Sequence, residues 1–229
     1  MDKFTAIVLA AGSGKRMGQE IPKQYMDLGG VPLMVYSLQA FQKSPVDEIV
    51  LVVTPGDVKK CRKDIVEKYG ISKCVHIVEG GAERYNSVYA GLSAVSEGYV
   101  LIHDCARAFI DQAIIQRCMA SVVECKACVA GMPSKDTIKL TDSQGLVVDT
   151  PDRNKLWIVQ TPQCFEYNLI KGAYDAIMPT ADKSITDDAM IVEKATNHRV
   201  QMIEGSYNNI KVTTPEDIAF GQAILAKNS

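Results

Sequence analysis

The chain has 229 residues, 47% of them hydrophobic and 23% charged, with a formal net charge of −2. That length suits a single domain over residues 1–229 with a sizeable core, and the near-neutral charge excludes a basic nucleic-acid-binding surface, which needs a clustered positive stripe. No run approaches the ~20 apolar residues required to cross a bilayer. Met1-Asp2-Lys3 leads directly into a strand pattern with no apolar signal core. Seven cysteines without regular spacing fit a reducing compartment better than a disulfide framework. The expectation is a cytoplasmic protein whose partners include neither nucleic acid nor membrane.

Residues 4–9 form an apolar, strand-like run that empties into Ala10-Ala11-Gly12-Ser13-Gly14-Lys15-Arg16-Met17-Gly18, followed by Pro22-Lys23-Gln24. A loop of small residues at the carboxyl end of a strand lets backbone N–H groups approach an anion. Lys15, Arg16 and Lys23 add positive charge, and the whole reads as a triphosphate cradle. Two common nucleotide fingerprints fail here on named residues. A P-loop needs glycine where Leu9 stands and a hydroxyl where Arg16 stands, and a dinucleotide loop needs glycine at Met17.

Pro32 then opens a helix to about Gln42, and 48–53 reads as a β-branched strand. Thr54-Pro55-Gly56-Asp57 supplies an N-cap, a first-turn proline and an acid for a helix ending at Gly70. The basic run Lys59 to Lys63 on that helix is flanked by Asp57, Asp64 and Glu67, so it reads as a solvated face. A strand at 75–78 leads into Gly80-Gly81 and a helix with Val88, Leu92 and Val95 at helical spacing, ended by Gly98. A strand at 99–103, a helix capped by Asp111 and running to about Glu124, and a strand at 127–132 follow. Cys125 and Cys128 make a lone C-x-x-C, read as structural thiols.

Strict alternation of strand and helix implies an α/β, doubly wound, largely parallel Rossmann-like sheet, because parallel strands need crossovers. Loops leaving the strand ends then converge on one crevice. The alternation breaks at 134–163, where 137–141 and 146–150 flank Asp142-Ser143-Gln144-Gly145 in a hairpin pattern. A hairpin without a core of its own is marginal alone, so this β-arm is expected to pack on a second copy as a homodimer. Helices at 166–177 and 186–195, strands at 200–203 and 210–212, and a helix capped by Thr214-Pro215-Glu216-Asp217 complete the expectation.

Read in order, the motifs are Ala10 to Met17, Pro22-Lys23-Gln24-Tyr25, Gly80-Gly81-Ala82-Glu83-Arg84 with Ser87, and His103-Asp104-Cys105-Ala106-Arg107. Then come Asp136-Thr137-Ile138-Lys139, Asp152-Arg153-Asn154-Lys155-Leu156-Trp157, Thr161-Pro162-Gln163, Ile185-Thr186-Asp187-Asp188-Ala189 and Asn209-Ile210-Lys211-Val212-Thr213. Over nearly the whole chain this series resembles the 2-C-methyl-D-erythritol 4-phosphate cytidylyltransferase family. The resemblance implies transfer of a cytidylyl group from CTP to a polyol phosphate with release of pyrophosphate.

It further implies Arg16, Lys23, Arg153 and Lys211 as catalytic cations. Ala10, Ala11, Gly12, Ser13, Gly14, Lys15, Gly81, Ala82 and Ser87 would bind nucleotide. Asp104, Arg107, Thr137, Arg153, Thr186 and Lys211 would bind the polyol phosphate. Asp104 would also orient Mg2+ or another divalent cation. Arg153 and Thr137 fall on the arm, which makes the site a composite of two subunits. Cys105, Ala108, Ala82 and Asn208 depart from the family's usual residues beside these positions, and Asn208 removes a second carboxylate from the metal assignment. Two rival readings are a ribitol 5-phosphate cytidylyltransferase, whose loop more often reads A-G-G, and a non-catalytic nucleotide-binding protein of the same fold.

Overall fold

The computed structural model describes residues 2–12, 22–180, 182 and 184–228. Strands β1 (Phe4–Ala10), β2 (Asp27–Leu28), β3 (Val31–Pro32), β4 (Glu48–Val53), β5 (Cys74–Glu79) and β6 (Tyr99–Asp104) alternate with three helices. These are α1 (Leu33–Gln42), α2 (Val58–Cys61, continued as a π-helical turn, Arg62–Glu67) and α3 (Arg84–Leu92). The second half holds α4 (Gln112–Cys125), β7 (Ala127–Pro133), β8 (Leu140–Thr141), β9 (Val147–Asp149) and β10 (Trp157–Glu166). It ends with α5 (Tyr167–Ile177), α6 (Asp188–Ala195), β11 (Gln201–Glu204) and α7 (Pro215–Asn228).

Seven strands form one sheet in the order β11-β7-β10-β6-β1-β4-β5. All run parallel except β10, which is antiparallel to both β6 and β7. Alternate side chains of the buried strands serve two cores, as expected of a sheet covered on both faces. Ala6, Val8, Leu51 and Leu101 face α1, α2 and α4, whereas Ile7, Leu9, Val50, Val52 and Ile102 face α3, α5 and α6. The chain runs outward through β1, β4 and β5, then returns to lay β6 on the other side of β1. That reversal opens a crevice at the carboxyl ends of β1 and β6, where open α/β sheets take ligands.

Most predicted elements are present. The helix expected from Pro55 begins only at Val58, because Thr54–Asp57 closes a turn through a 3.0 Å bond from the Asp57 N–H to the Thr54 carbonyl. The strand expected at 210–212 pairs with no strand. Its Val212 N–H instead donates to the Ala106 carbonyl at 2.8 Å, which ties this stretch to the loop after β6. Asp111 caps α4 as expected, accepting from the Ile114 N–H at 2.8 Å. The hairpin is β8 paired with β9, turned by Asp142, whose carboxylate accepts from the Gln144 and Leu146 N–H groups. Its returning limb continues into β10, so residues 157–163, expected within the arm, are also a strand of the main sheet. Among the described residues no helix is long and apolar enough to cross a membrane.

Candidate active site

Backbone pairing assembles the crevice. The Cys105 N–H donates to the Leu9 carbonyl at 3.0 Å, which joins the start of the loop after β6 to β1, and the Gly80 N–H donates to the Val53 carbonyl at 2.7 Å, which ties the loop after β5 to the end of β4. A Cβ on Gly80 would lie 2.5 Å from the Ala11 Cβ and 2.7 Å from the Ser87 Oγ, so only glycine lets these segments close. The Ser87 hydroxyl accepts the Gly81 N–H at 3.1 Å, and Glu83 with Asn86 forms a capping box at the start of α3.

Two adjoining clefts result. The first, of about 350 Å³, is lined by Ala11, Gly12, Lys23, Gly81, Ala82 and Ser87 among others, and the second, of about 290 Å³, by Arg107, Thr161, Gln163, Thr186 and Asp187 among others. Arg84, Asp104 and Lys211 belong to both. One carboxylate and two cations therefore stand where two ligands would meet.

Asp104 is held between those cations. Its Oδ1 accepts from the Arg84 Nε at 3.1 Å and its Oδ2 from the Lys211 Nζ at 2.6 Å. Burial opposes its ionisation, but Arg84 and Lys211 overcome that and hold the carboxyl well below the usual range. Arg84 turns its two terminal nitrogens to the fully buried Asp188 at 2.9 and 2.8 Å, a bidentate pair. Burial disfavours the guanidinium charge, yet Asp188 and Asp104 raise its pKa well above the ordinary value.

His103, which carries no predicted role, is fully buried behind Asp104. The Thr161 hydroxyl accepts the Asp104 N–H at 3.1 Å, leaving its own proton for His103 Nδ1 at 3.0 Å, so Nε2 carries the ring proton and donates to the Arg107 carbonyl at 3.2 Å. Burial pushes the imidazole down to about 4, consistent with this neutral tautomer. Arg107 itself is forked between the carbonyls of Asn209, at 2.8 Å, and Val159, at 3.1 Å.

The remaining expected residues divide. Lys23 sits in a short 3-10 turn, Lys23–Tyr25, and its Cε lies 3.6 Å from where a Cβ on Gly12 would stand. The Tyr25 hydroxyl anchors that turn to Asp57 at 2.8 Å. Ala10 is buried at the end of β1 and is not among the residues that line the first cleft. Thr137 and Arg153 are exposed on the arm, Arg153 donating to the Lys135 carbonyl at 3.3 Å, and neither lines either of these two clefts. Ser13, Gly14, Lys15 and Arg16 lie outside the described residues. The Lys59 to Lys63 run is largely a solvated helix face, with Lys60 packed 4.4 Å over the Tyr25 ring. Cys125 and Cys128 are free thiols, Cys128 fully buried.

A family model for 2-C-methyl-D-erythritol 4-phosphate cytidylyltransferase matches residues 4–227. The chain belongs to that family. It is 50% identical over 224 residues to the enzyme of that name from Lachnospira eligens, covering 96% of this chain and 98% of the relative. Against the enzyme of that name from Lachnoclostridium phytofermentans it is 46% identical over 229 residues, covering 100% and 98%. Among solved structures it resembles the 4-diphosphocytidyl-2C-methyl-D-erythritol synthase of Anaerococcus prevotii, with a TM-score of 0.85, 34% identity and coverage of 98% and 99%.

For a cytidylyltransferase the geometry adds residues that motif reading left without a role. Arg84 lies in the Gly80-Gly81 motif, and an arginine in the first turn of a helix looks like any solvated charge. Its main partner, Asp188, is 104 residues away. Gln163 and Asp187 also line the second cleft. Their adjacency in the Thr161-Pro162-Gln163 and Thr186-Asp187-Asp188 motifs was the available signal.

Proposed function

We propose that this cytidylyltransferase joins CTP to 2-C-methyl-D-erythritol 4-phosphate, forming 4-diphosphocytidyl-2-C-methyl-D-erythritol and pyrophosphate in the non-mevalonate isoprenoid pathway. The observation that carries the reading is the pair of clefts sharing Arg84, Asp104 and Lys211. A nucleotide in the first cleft and a polyol phosphate in the second would bring the acceptor phosphate oxygen in line with the α-phosphorus. That oxygen forms the new P–O bond as pyrophosphate leaves with the electrons of the old one. The enzyme's task is then to place the reactants and to stabilise charge on equatorial and leaving oxygens. Lys23 lies on the nucleotide side, Lys211 at the junction, and Arg16 joins them by family resemblance.

Ala11, Gly12, Gly81, Ala82 and Ser87 supply small side chains and backbone groups suited to reading the edge of a cytosine. Asp104 fits a divalent cation in one specific sense. A carboxylate has about four lone-pair sites, and the two lysine and arginine contacts leave others free. Among the described residues no group of three or more His, Cys, Asp or Glu side chains is placed to hold an ion, which suits Mg2+ carried mainly by phosphates and water. When bound, Mg2+ would neutralise charge on the triphosphate.

The reading is tested by pyrophosphate release from CTP and Mg2+ with each polyol phosphate. Turnover is expected with methylerythritol phosphate and is lost on chelation; preference for ribitol 5-phosphate would replace the substrate, and no turnover with either would leave a nucleotide-binding protein.

The arm supports a homodimer. Leu140, Leu146, Val147, Val148 and Ile158 are each at least half exposed, an apolar surface of the kind that marks an association site. A second copy would bury it and carry Thr137 and Arg153 toward the neighbouring polyol cleft. Light scattering is expected to give twice the 25.0 kDa chain mass. With both Leu146→Asp and Val148→Asp in place, the mass should fall to that of one chain and turnover should drop. A wild-type monomer at micromolar concentration would end the composite-site idea.

A further inference from the structure

Four side chains of alternating sign run in a row from the core to the junction of the clefts: Asp188, Arg84, Asp104 and Lys211. The buried end is fixed from two directions. The Tyr174 hydroxyl, itself fully buried, donates to Asp188 Oδ1 at 2.6 Å. Gln163 Oε1 accepts the N–H groups of Asp188 and Ala189, both at 3.0 Å, while its Nε2 donates to Asp187 Oδ2 at 3.0 Å. The strand β10 thereby seats the first turn of α6, and Thr186 and Asp187 just before it line the second cleft and not the first. Burial and the facing carboxylate raise the Tyr174 phenol well above its ordinary pKa, so it remains a donor.

We propose that Asp188 and Tyr174 are positioning residues for the acceptor polyol phosphate: they fix the start of α6, beside which Thr186 and Asp187 line the second cleft and not the first, and they hold the Arg84 guanidinium at the junction of the two. The inference rests on the cytidylyl-transfer reading and concerns one of its two substrates. The nucleotide wall has separate supports. Gly81 is held by Ser87, and the backbone of the first turn of α3 by the Glu83–Asn86 capping box, so of this wall the Arg84 side chain is the part that Asp188 holds. Loss of the buried anchor frees the Arg84 side chain to swing while its backbone stays in place.

Kinetics of Tyr174→Phe and Asp188→Asn, with CTP binding measured separately by calorimetry, test this. The KM for the polyol phosphate is expected to rise about threefold in Tyr174→Phe and about tenfold in Asp188→Asn, with the CTP dissociation constant within about twofold of wild type. In an Asp104→Asn background the Asp188→Asn effect should shrink, because the two act through one row. Equal weakening of both substrates, or no rise for the polyol, would overturn the proposal. Should Asp188→Asn fail to fold, Tyr174→Phe, which loses a single hydroxyl, carries the test. A wild-type chain that turns over no polyol phosphate removes the functional reading and this inference with it; wild-type turnover with unselective variants removes the inference alone.

Discussion

Replacing Lys23 with methionine is expected to lower kcat by about 10²- to 10³-fold, the loss seen when one fixed charge facing a developing anion is removed. Methionine keeps most of the aliphatic stem and deletes only the ammonium. Lys23 is carried on a short turn that the Tyr25–Asp57 bond anchors to the start of α2, so the charge is placed before substrate arrives. A preplaced cation contributes more as charge grows on the transferring and leaving oxygens than in the ground state. The KM for CTP should therefore rise less than kcat falls. Steady-state kinetics with CTP and methylerythritol phosphate, beside a melting curve that moves by only a few degrees, would check it; an unchanged kcat would remove Lys23 from the chemistry.

The second large effect belongs to Arg84. Arg84→Met is expected to cost about 3–5 kcal/mol of stability, because it strands the fully buried Asp188 carboxylate without its bidentate partner. For a chain of this size that corresponds to a fall of about 10 °C in Tm. Activity should fall as well, since Asp104 loses one of its two cations at the junction of the clefts. Pairing the change with Asp188→Leu removes the stranded charge, and the double variant should recover at least part of the melting temperature without recovering turnover. Calorimetric melting of the two variants decides the point: equal destabilisation would show that the charge pair is not what is lost.

The sheet was largely readable because its strands are apolar runs and its helices carry ordinary start and stop signals. Asp111, Gly98 and the Gly80-Gly81 pair act locally, within a turn of where they stand, so a single sequence displays them. β10 was harder. Gln160-Thr161-Pro162-Gln163 looks like a polar loop, yet the Gln160, Thr161 and Gln163 side chains are buried. Gln160 bonds the Ser206 carbonyl and Asn209, Thr161 bonds His103 and the Asp104 N–H, and Gln163 bonds the start of α6. No hydropathy period announces a strand whose interior is satisfied by partners dozens of residues away. The same distance hid Arg84 and Asp188, whereas Asp104 stood out because it ends β6 and Lys23 because it lies in the Pro22-Lys23-Gln24 motif after the loop that leaves β1. In the opposite direction, 210–212 looks like a strand from its β-branched residues but makes its bond to a loop carbonyl.

Among the described residues the antiparallel strand β10 is the only ladder partner that links β7, and β11 beyond it, to the other strands of the main sheet. Until residues 157–166 thread between β6 and β7, strands β7 and β11 have no place in the sheet. Growth of the sheet must therefore wait on pairings between segments far apart in the chain, which close late because their loop entropy is spent before their contacts repay it. The same strand begins where the arm ends, so any force transmitted through an associated arm is delivered to the seam that joins the two portions of the sheet.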